Sequence, residues 1–282
     1  TGQFSSAASM LEEYIRETTS AAGNGQIHLL LAKAYEGMGR LDDAAQVLRD
    51  VIAFFPDAPE IPKAHVALAD ILEKQGKRRD AVRLINQAAL RFPQDADVMR
   101  SLGKQLALNG DLLGAADALE SAEQAGARDP NLLLEAARYC RSAGDYKRAK
   151  ALYERLIMNY PTEPQAFEGR IEIAKTFQEQ GMYRKAFEAL RDLANLSINK
   201  PQFIPVQFSL AELYEEMGFR SNAASTYAQI AGLSLDPREL ARAIIGMLQN
   251  GALNEGLEAA KRVPIDVLPP ADAYQFLKTF GN

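Results

Sequence analysis

The chain is poor in the residues that carry most catalytic and covalent chemistry. Cys140 is its only cysteine, and His28 and His65 are its only histidines. A single cysteine cannot close a disulfide within the chain, so cysteine usage leaves the compartment open. No HExxH and no paired CxxC occur, so the common zinc spacings are absent and no metal or other cofactor is expected. There is no GxxxxGK[ST] phosphate loop and no GxGxxG turn after a strand. No run of about 18 apolar residues is present, which excludes a membrane-spanning helix. Positive charge is not in excess either. Thirty-two Lys and Arg against 37 Asp and Glu give a net charge of −5 and a pI of about 5.3. Nucleic acid is therefore not expected as a partner, because such binding needs a basic footprint. Thr1 to Ser20 lacks the basic start and apolar centre of a signal peptide. Without an initiator Met, the chain reads as a piece of something longer.

What is there is ordinary in amount and regular in arrangement. With 47% hydrophobic and 24% charged residues the chain is a folded one. The stretch Pro62 to Pro93 shows the design. Leu68, Ala69 and Leu72 share one helical face, and Ala81, Ile85 and Ala88 share another beyond Gly76. Apolar residues three and four apart mark a helix, so this is a helix, a turn and a second helix.

The same design recurs. Gly2, Gly39, Gly76, Gly110, Gly144, Gly181, Gly218 and Gly251 follow one another at spacings of 37, 37, 34, 34, 37, 37 and 33. Five residues after them stand Ala7, Ala44, Ala81, Ala115, Ala149, Ala186, Ala223 and Gly256. Nine residues after them come Leu11, Leu48, Ile85, Leu119, Tyr153, Leu190 and Tyr227. Four residues before them stand Tyr35, Leu72, Leu106, Cys140, Phe177, Tyr214 and Met247. Glycine accepts the left-handed conformation that ends a helix before a tight turn. Alanine lets two helices approach, and the large residues fill the space between hairpins. Pro56, Pro93, Pro161 and Pro264 close second helices, because a helix rarely runs past the residue before a proline.

This pattern resembles the tetratricopeptide repeat family over essentially the whole chain. The family's Leu-Gly or Leu-Ala pair stands here as Leu31-Ala32, Leu68-Ala69, Leu102-Gly103 and Leu210-Ala211, with Ala136-Ala137 and Ile173-Ala174 as weaker versions. The family's early Trp is absent, since the chain has none. The resemblance implies an all-α, right-handed superhelical solenoid of stacked antiparallel hairpins, with no single core. The repeats fall near 25–61, 62–95, 96–129, 130–166, 167–203, 204–236 and 237–268, with partial repeats at 1–24 and 269–282, all in one solenoid over 1–282. Gln3 to Glu17 reads as a second helix without its first. Asp272 to Phe280 reads as a first helix without its second, carrying Tyr274, Phe276, Leu277 and Phe280. Exposed there, Phe276, Leu277 or Phe280 would favour end-to-end self-association.

His28 and His65 fall at one place in consecutive repeats. Helices of neighbouring hairpins lie about 8–10 Å apart, too far for the pair to share a zinc easily, so both read as packing residues. Cys140 occupies a large-residue slot and reads as a buried apolar residue, not a nucleophile. The carboxylates have no recognisable catalytic partner, and no enzymatic activity is expected of this chain.

In this family the first helix of each hairpin lines the concave face, where ligands lie. The corresponding residues here are Leu30, Lys33 and Glu36, then Lys63, Asp70 and Glu73, then Arg100 and Lys104, Arg138 and Arg141, and Lys175. The sixth repeat gives Phe208, Glu212, Glu215 and Glu216. The stripe is basic in the middle, diluted by Glu135 and Glu172, and acidic towards the end. Arg100, Lys104, Arg138, Arg141 and Lys175 are the expected partner-binding residues. Residues three and four apart share a helix face, and stacking would set those faces side by side. Such a local field suits an acidic peptide or protein surface, or an anionic polymer. One subfamily clamps C-terminal carboxylates with Lys and Asn on consecutive inner helices; the corresponding Asn residues are missing here. The expected function is a non-catalytic protein-interaction scaffold within a larger bacterial protein. Long arrays of this kind occur in cell-envelope assembly and polysaccharide export, which the resemblance permits. The alternative is a recruiting domain of an enzyme whose catalytic domain lies elsewhere. Periplasm and cytoplasm both remain open, with a lean to the bacterial periplasm.

Overall fold

The computed structural model describes residues 2–17, 24–198 and 201–280. Its described residues form sixteen α-helices and no strand. The first is α1 (Gly2–Glu17), and seven hairpins follow it. They are α2 (Asn24–Gly37) with α3 (Leu41–Phe54), α4 (Ile61–Lys74) with α5 (Arg78–Arg91), α6 (Ala96–Leu108) with α7 (Leu112–Gln124), and α8 (Pro130–Ser142) with α9 (Tyr146–Asn159). Next come α10 (Pro164–Glu179) with α11 (Tyr183–Ser197), α12 (Phe203–Glu216) with α13 (Arg220–Leu233), and α14 (Pro237–Gln249) with α15 (Leu253–Ala260). A 3₁₀ turn at Ile265–Val267 leads to α16 (Pro270–Phe280). The residues gather into two compact units, one through Arg155 and one from Leu156, with the boundary inside α9.

The turn within each hairpin has one construction. Gly39, Gly76, Gly110, Gly144, Gly181, Gly218 and Gly251 all have positive φ. The residue after each glycine donates its backbone N–H to the carbonyl of the residue four before it. Thus Lys77 donates to Leu72 at 2.8 Å and Asp145 donates to Cys140 at 2.9 Å. This closes the last turn of the first helix and satisfies a carbonyl that would otherwise face the apolar contact. Gly76, at φ 75°, shows why the residue is glycine, since a Cβ there strains the backbone. Two positions depart from the sequence pattern. Gly2 starts α1 instead of ending a helix, and α1 buries Ala8, while Ala7 is only half-buried. Gly126 adds a further left-handed turn at φ 99°, between α7 and α8, with Ala127 donating to the carbonyl of Ala122.

Helix starts are chemical as well. The side chains of Asp95, Asp111, Asp129 and Asp236 accept backbone N–H groups in the first turns of α6, α7, α8 and α14. Pro130, Pro164 and Pro237 each stand in a first turn, where the missing N–H costs nothing.

Each helix buries one stripe against its neighbours. In α5 these are Ala81, Ile85, Ala88 and Ala89; in α11 they are Ala186, Leu190, Leu193 and Ala194. The alanines five residues beyond the turn glycines, from Ala44 to Ala223, have no exposed surface. Replacing Ala186 by Leu is therefore expected to overpack α11 and cost about 1–3 kcal/mol. Lys77→Leu, on the exposed α4–α5 turn, should change stability by less than about 0.5 kcal/mol. Urea denaturation of both variants measures the difference, and equal shifts would mean that the packing register is wrong.

The C-terminal helix meets its expectation at Leu277 and departs from it at Phe276. Phe276 is only 2% exposed, because α16 lies on α14 and sinks this ring among Ile244, Met247, Val263 and Leu268. The chain leaving α15 supplies Val263 and Leu268, so it does part of what a second helix would do. Tyr274 and Leu277 are exposed; the side chain of Phe280 lies outside the described residues.

Candidate functional site

In both units the open grooves lie along the first helices of successive hairpins. Hairpin geometry causes this. Within each unit, the exposed stripes of neighbouring first helices line the same groove.

In the first unit, α2 and α4 frame a hollow of about 360 Å³ floored by Leu29, Ala32 and Ala67, with Lys33, Glu36 and Lys63 on its rim. Lys63 and Ala67 also belong to the next hollow, of about 350 Å³, where α4 meets α6. There Val66 and the buried Ser101 are joined by Asp70, Arg100 and Lys104. Among the described residues, the buried hydroxyl of Ser101 has no hydrogen-bond partner. Carboxylates hold two of the four cations that line these hollows. Lys104 lies 2.9 Å from Asp70 and 2.8 Å from Glu73, and Arg100 lies 3.6 Å from Asp129. Lys74 pairs with Glu36. The hydrogen bond from Lys104 is the main reason that the Glu73 carboxyl ionises below its ordinary range; a second bond, from Gln105, adds to it. Among the described residues, Lys33 and Lys63 have no ion-pair partner.

The five expected cations are thus distributed. Arg100 and Lys104 line the α4–α6 hollow. Arg138 and Arg141 are half-buried on α8 and line neither hollow. Lys175 belongs to the second unit, where it pairs with Glu172 at 3.4 Å. Lys33 and Lys63 pass the same sequence test, because they lie on the open stripe of successive first helices.

In the second unit, α10, α12 and α14 frame a groove of about 480 Å³. Pro164, Phe167, Ile171 and Pro205 make its apolar walls, with Phe208 beneath. The guanidinium of Arg242 stands 4.2 Å from the centre of the Phe208 ring and pairs with Glu212. Glu212, Arg238 and Arg242 carry the groove on into a second hollow, of about 460 Å³, reaching α16. The hydroxyl of Tyr227 donates to Glu215 there at 3.2 Å. Burial, then the charges of Glu215 and Glu212, raise the ionisation of that phenol well above its usual range.

The remaining chemistry-bearing residues are structural. His28 packs on Phe55 and His65 on Phe92, with ring centres 5.9 and 6.0 Å apart, and His65 Nδ1 lies 2.9 Å from the carbonyl oxygen of Ile61. Cys140 is fully buried, and burial pushes its thiol up to about 11. No group of three or more His, Cys, Asp or Glu that could hold a metal ion occurs among the described residues. No helix among them is long and apolar enough to cross a membrane.

Three tetratricopeptide repeat family models match the sequence, over residues 1–61, 66–130 and 130–173, together more than half of the 282 residues. Compared with curated proteins, the sequence has no match. Among solved structures it is similar to a tetratricopeptide repeat protein from Parabacteroides merdae, at 15% identity and a TM-score of 0.57, covering 92% of this chain and 99% of that one. It is also similar to the C-terminal part of a TPR repeat-containing protein from Cytophaga hutchinsonii, at 15% identity and a TM-score of 0.51, covering 91% and 94%. At these identities the likeness is one of fold.

Proposed function

Because the chain belongs to the tetratricopeptide repeat family, we propose that it is a non-catalytic scaffold holding a polypeptide partner along the first helices of its hairpins, and that the α2–α4–α6 groove takes an acidic segment. One observation carries this reading. Lys33 and Lys63 stand on successive first helices, over an apolar floor, without an ion-pair partner among the described residues. A lysine already neutralised by two carboxylates, as Lys104 is, adds little field for a ligand. Two uncompensated ammonium groups over apolar surface attract a carboxylate, and the floor holds the neighbouring side chain of the segment. The buried hydroxyl of Ser101 is a further donor beside the groove.

The probe is a fluorescein-labelled twelve-residue peptide alternating Glu and Leu. Lys33→Glu with Lys63→Glu is expected to weaken its binding, read by fluorescence anisotropy, at least tenfold while the melting temperature holds. Both side chains are surface-facing, so the fold should be unaffected. Undiminished binding in the double variant would remove the site from this groove. Equal binding of a polyglutamate chain without Leu would make the partner an anionic polymer instead of a protein segment.

A further inference from the structure

The groove of the second unit has the opposite charge balance. Six carboxylates and three cations line the two joined hollows over α10, α12, α14 and α16. Every cation is held: Lys175 by Glu172, Arg242 by Glu212, and Arg238 by Asp272 at 4.0 Å. Two of the other carboxylates rest on neutral donors. Glu215 accepts from the hydroxyl of Tyr227 and the amide of Asn250, and Glu239 accepts from the hydroxyl of Ser234 at 2.6 Å. Neutral donors orient a carboxylate and leave its charge in place. An acidic segment would meet that surplus as repulsion, and a cationic one would meet it as attraction.

Arg242 shows what such a cation would do. Its guanidinium lies over the face of Phe208 while a carboxylate holds its edge. Guanidinium groups are suited to this double contact, because they are planar, weakly hydrated and able to stack and to hydrogen-bond together. Beside it the groove wall is apolar, formed by Phe167 and Ile171.

We propose that this groove receives a polypeptide segment in which a bulky apolar side chain is flanked by Arg or Lys, and that Arg242 is a built-in stand-in for one of the segment's cations. The apolar side chain lies against Phe167 and Ile171, and the flanking cations pair with Glu215 and Glu239. When a ligand cation takes the place over Phe208 and Glu212, Arg242 swings out to solvent. This rests on the scaffold reading above and names the partner class for the second unit.

The test uses the whole chain and three labelled twelve-residue peptides: one alternating Arg and Leu, a twin with Glu in place of Arg, and a twin with Ser in place of Leu. The Arg/Leu peptide is expected to bind at least tenfold tighter than the Arg/Ser twin. Glu215→Gln with Glu239→Gln removes both charges and leaves an acceptor oxygen on each side chain; it should weaken Arg/Leu binding at least fivefold and leave Glu/Leu binding unchanged. Arg242→Ala should strengthen Arg/Leu binding about threefold or more, because it frees Phe208 and Glu212. Lys33→Glu with Lys63→Glu should leave Arg/Leu binding intact, so a failure in the first unit is separable from one here. Absent Arg/Leu binding, insensitivity to the two glutamine changes, or weaker binding in Arg242→Ala would each overturn the proposal.

Discussion

Leu119→Ala is expected to lose about 2–5 kcal/mol, and Gly103→Ala to be harmful in the native chain but helpful in that variant. Leu119 is 2% exposed on α7, so truncating it loses apolar burial and leaves a cavity. Gly103 lies opposite on α6. A Cβ built there would meet Leu119 Cδ2 at 2.8 Å and the carbonyl oxygen of Ala115 at 3.2 Å. Alanine at 103 therefore overpacks the native contact, by about 1–3 kcal/mol. Helix propensity works the other way, favouring alanine by about 1 kcal/mol in a helix interior. With Leu119 shortened the clash with its side chain disappears and only the tight approach to the Ala115 carbonyl oxygen is left, so propensity and the added methyl outweigh it. Urea denaturation of the two single variants and the double gives the coupling. Strictly additive losses would show that these helices do not meet through this pair.

That pair also shows how far the sequence could be read. Leu119 stands nine residues after a turn glycine and Gly103 in a Leu-Gly pair, so their places in the repeat are legible in the sequence. The register of the glycines fixed the hairpin turns for the same reason. Left-handed backbone and close helix contact each restrict the residue type at one position, and such restrictions repeat visibly. Gly2 misled because spacing alone carried it: it is the first residue of α1, and the left-handed backbone that restricts the turn glycines is not found there. Phe276 misled because its partners Val263 and Leu268 come from an irregular stretch, where no period marks the inward side.

The candidate grooves were legible only by face. Spacing places Arg100 and Lys104 on one side of α6. Their carboxylate partners Asp129 and Asp70 belong to other hairpins, so the packing of neighbours decides which cations remain uncompensated. Lys33 and Lys63 looked no different from Lys104 in the sequence. In the second unit the acidic run Glu212, Glu215 and Glu216 was visible. Nothing in the sequence joins Arg238 and Arg242 to that run, because their place beside it depends on α14 lying next to α12.

Glu120→Ala is expected to cost about 2–3 kcal/mol, although Glu120 is a charged residue on a second helix. Arg148 and Arg155 of α9 both converge on it from the next hairpin, Arg148 through Nε at 3.1 Å and Arg155 through Nη1 at 3.0 Å. Arg148 also pairs with Asp117, and Arg155 reaches Glu123 at 3.2 Å. The Glu120 side chain is 16% exposed. Removing a carboxylate from such a site leaves two guanidinium groups that are already partly desolvated, and one remaining partner each. A fully buried charge left this way costs about 3–5 kcal/mol. The arginine side chains keep about a third of their surface in water, which lowers the expected cost. Glu258 is the internal contrast. It also pairs with a cation, Lys261 just past the end of α15, at 2.7 Å, but its side chain is 73% exposed. Glu258→Ala should change stability by less than about 0.5 kcal/mol, because water already solvates both charges. Added salt should erase even that small difference while leaving most of the Glu120 effect, since screening acts on exposed pairs first. Urea denaturation at low and high salt measures all four quantities. A Glu120→Ala loss no larger than that of Glu258→Ala would mean that α9 is held to α7 by apolar packing alone, with the arginines solvated independently of the carboxylates they face.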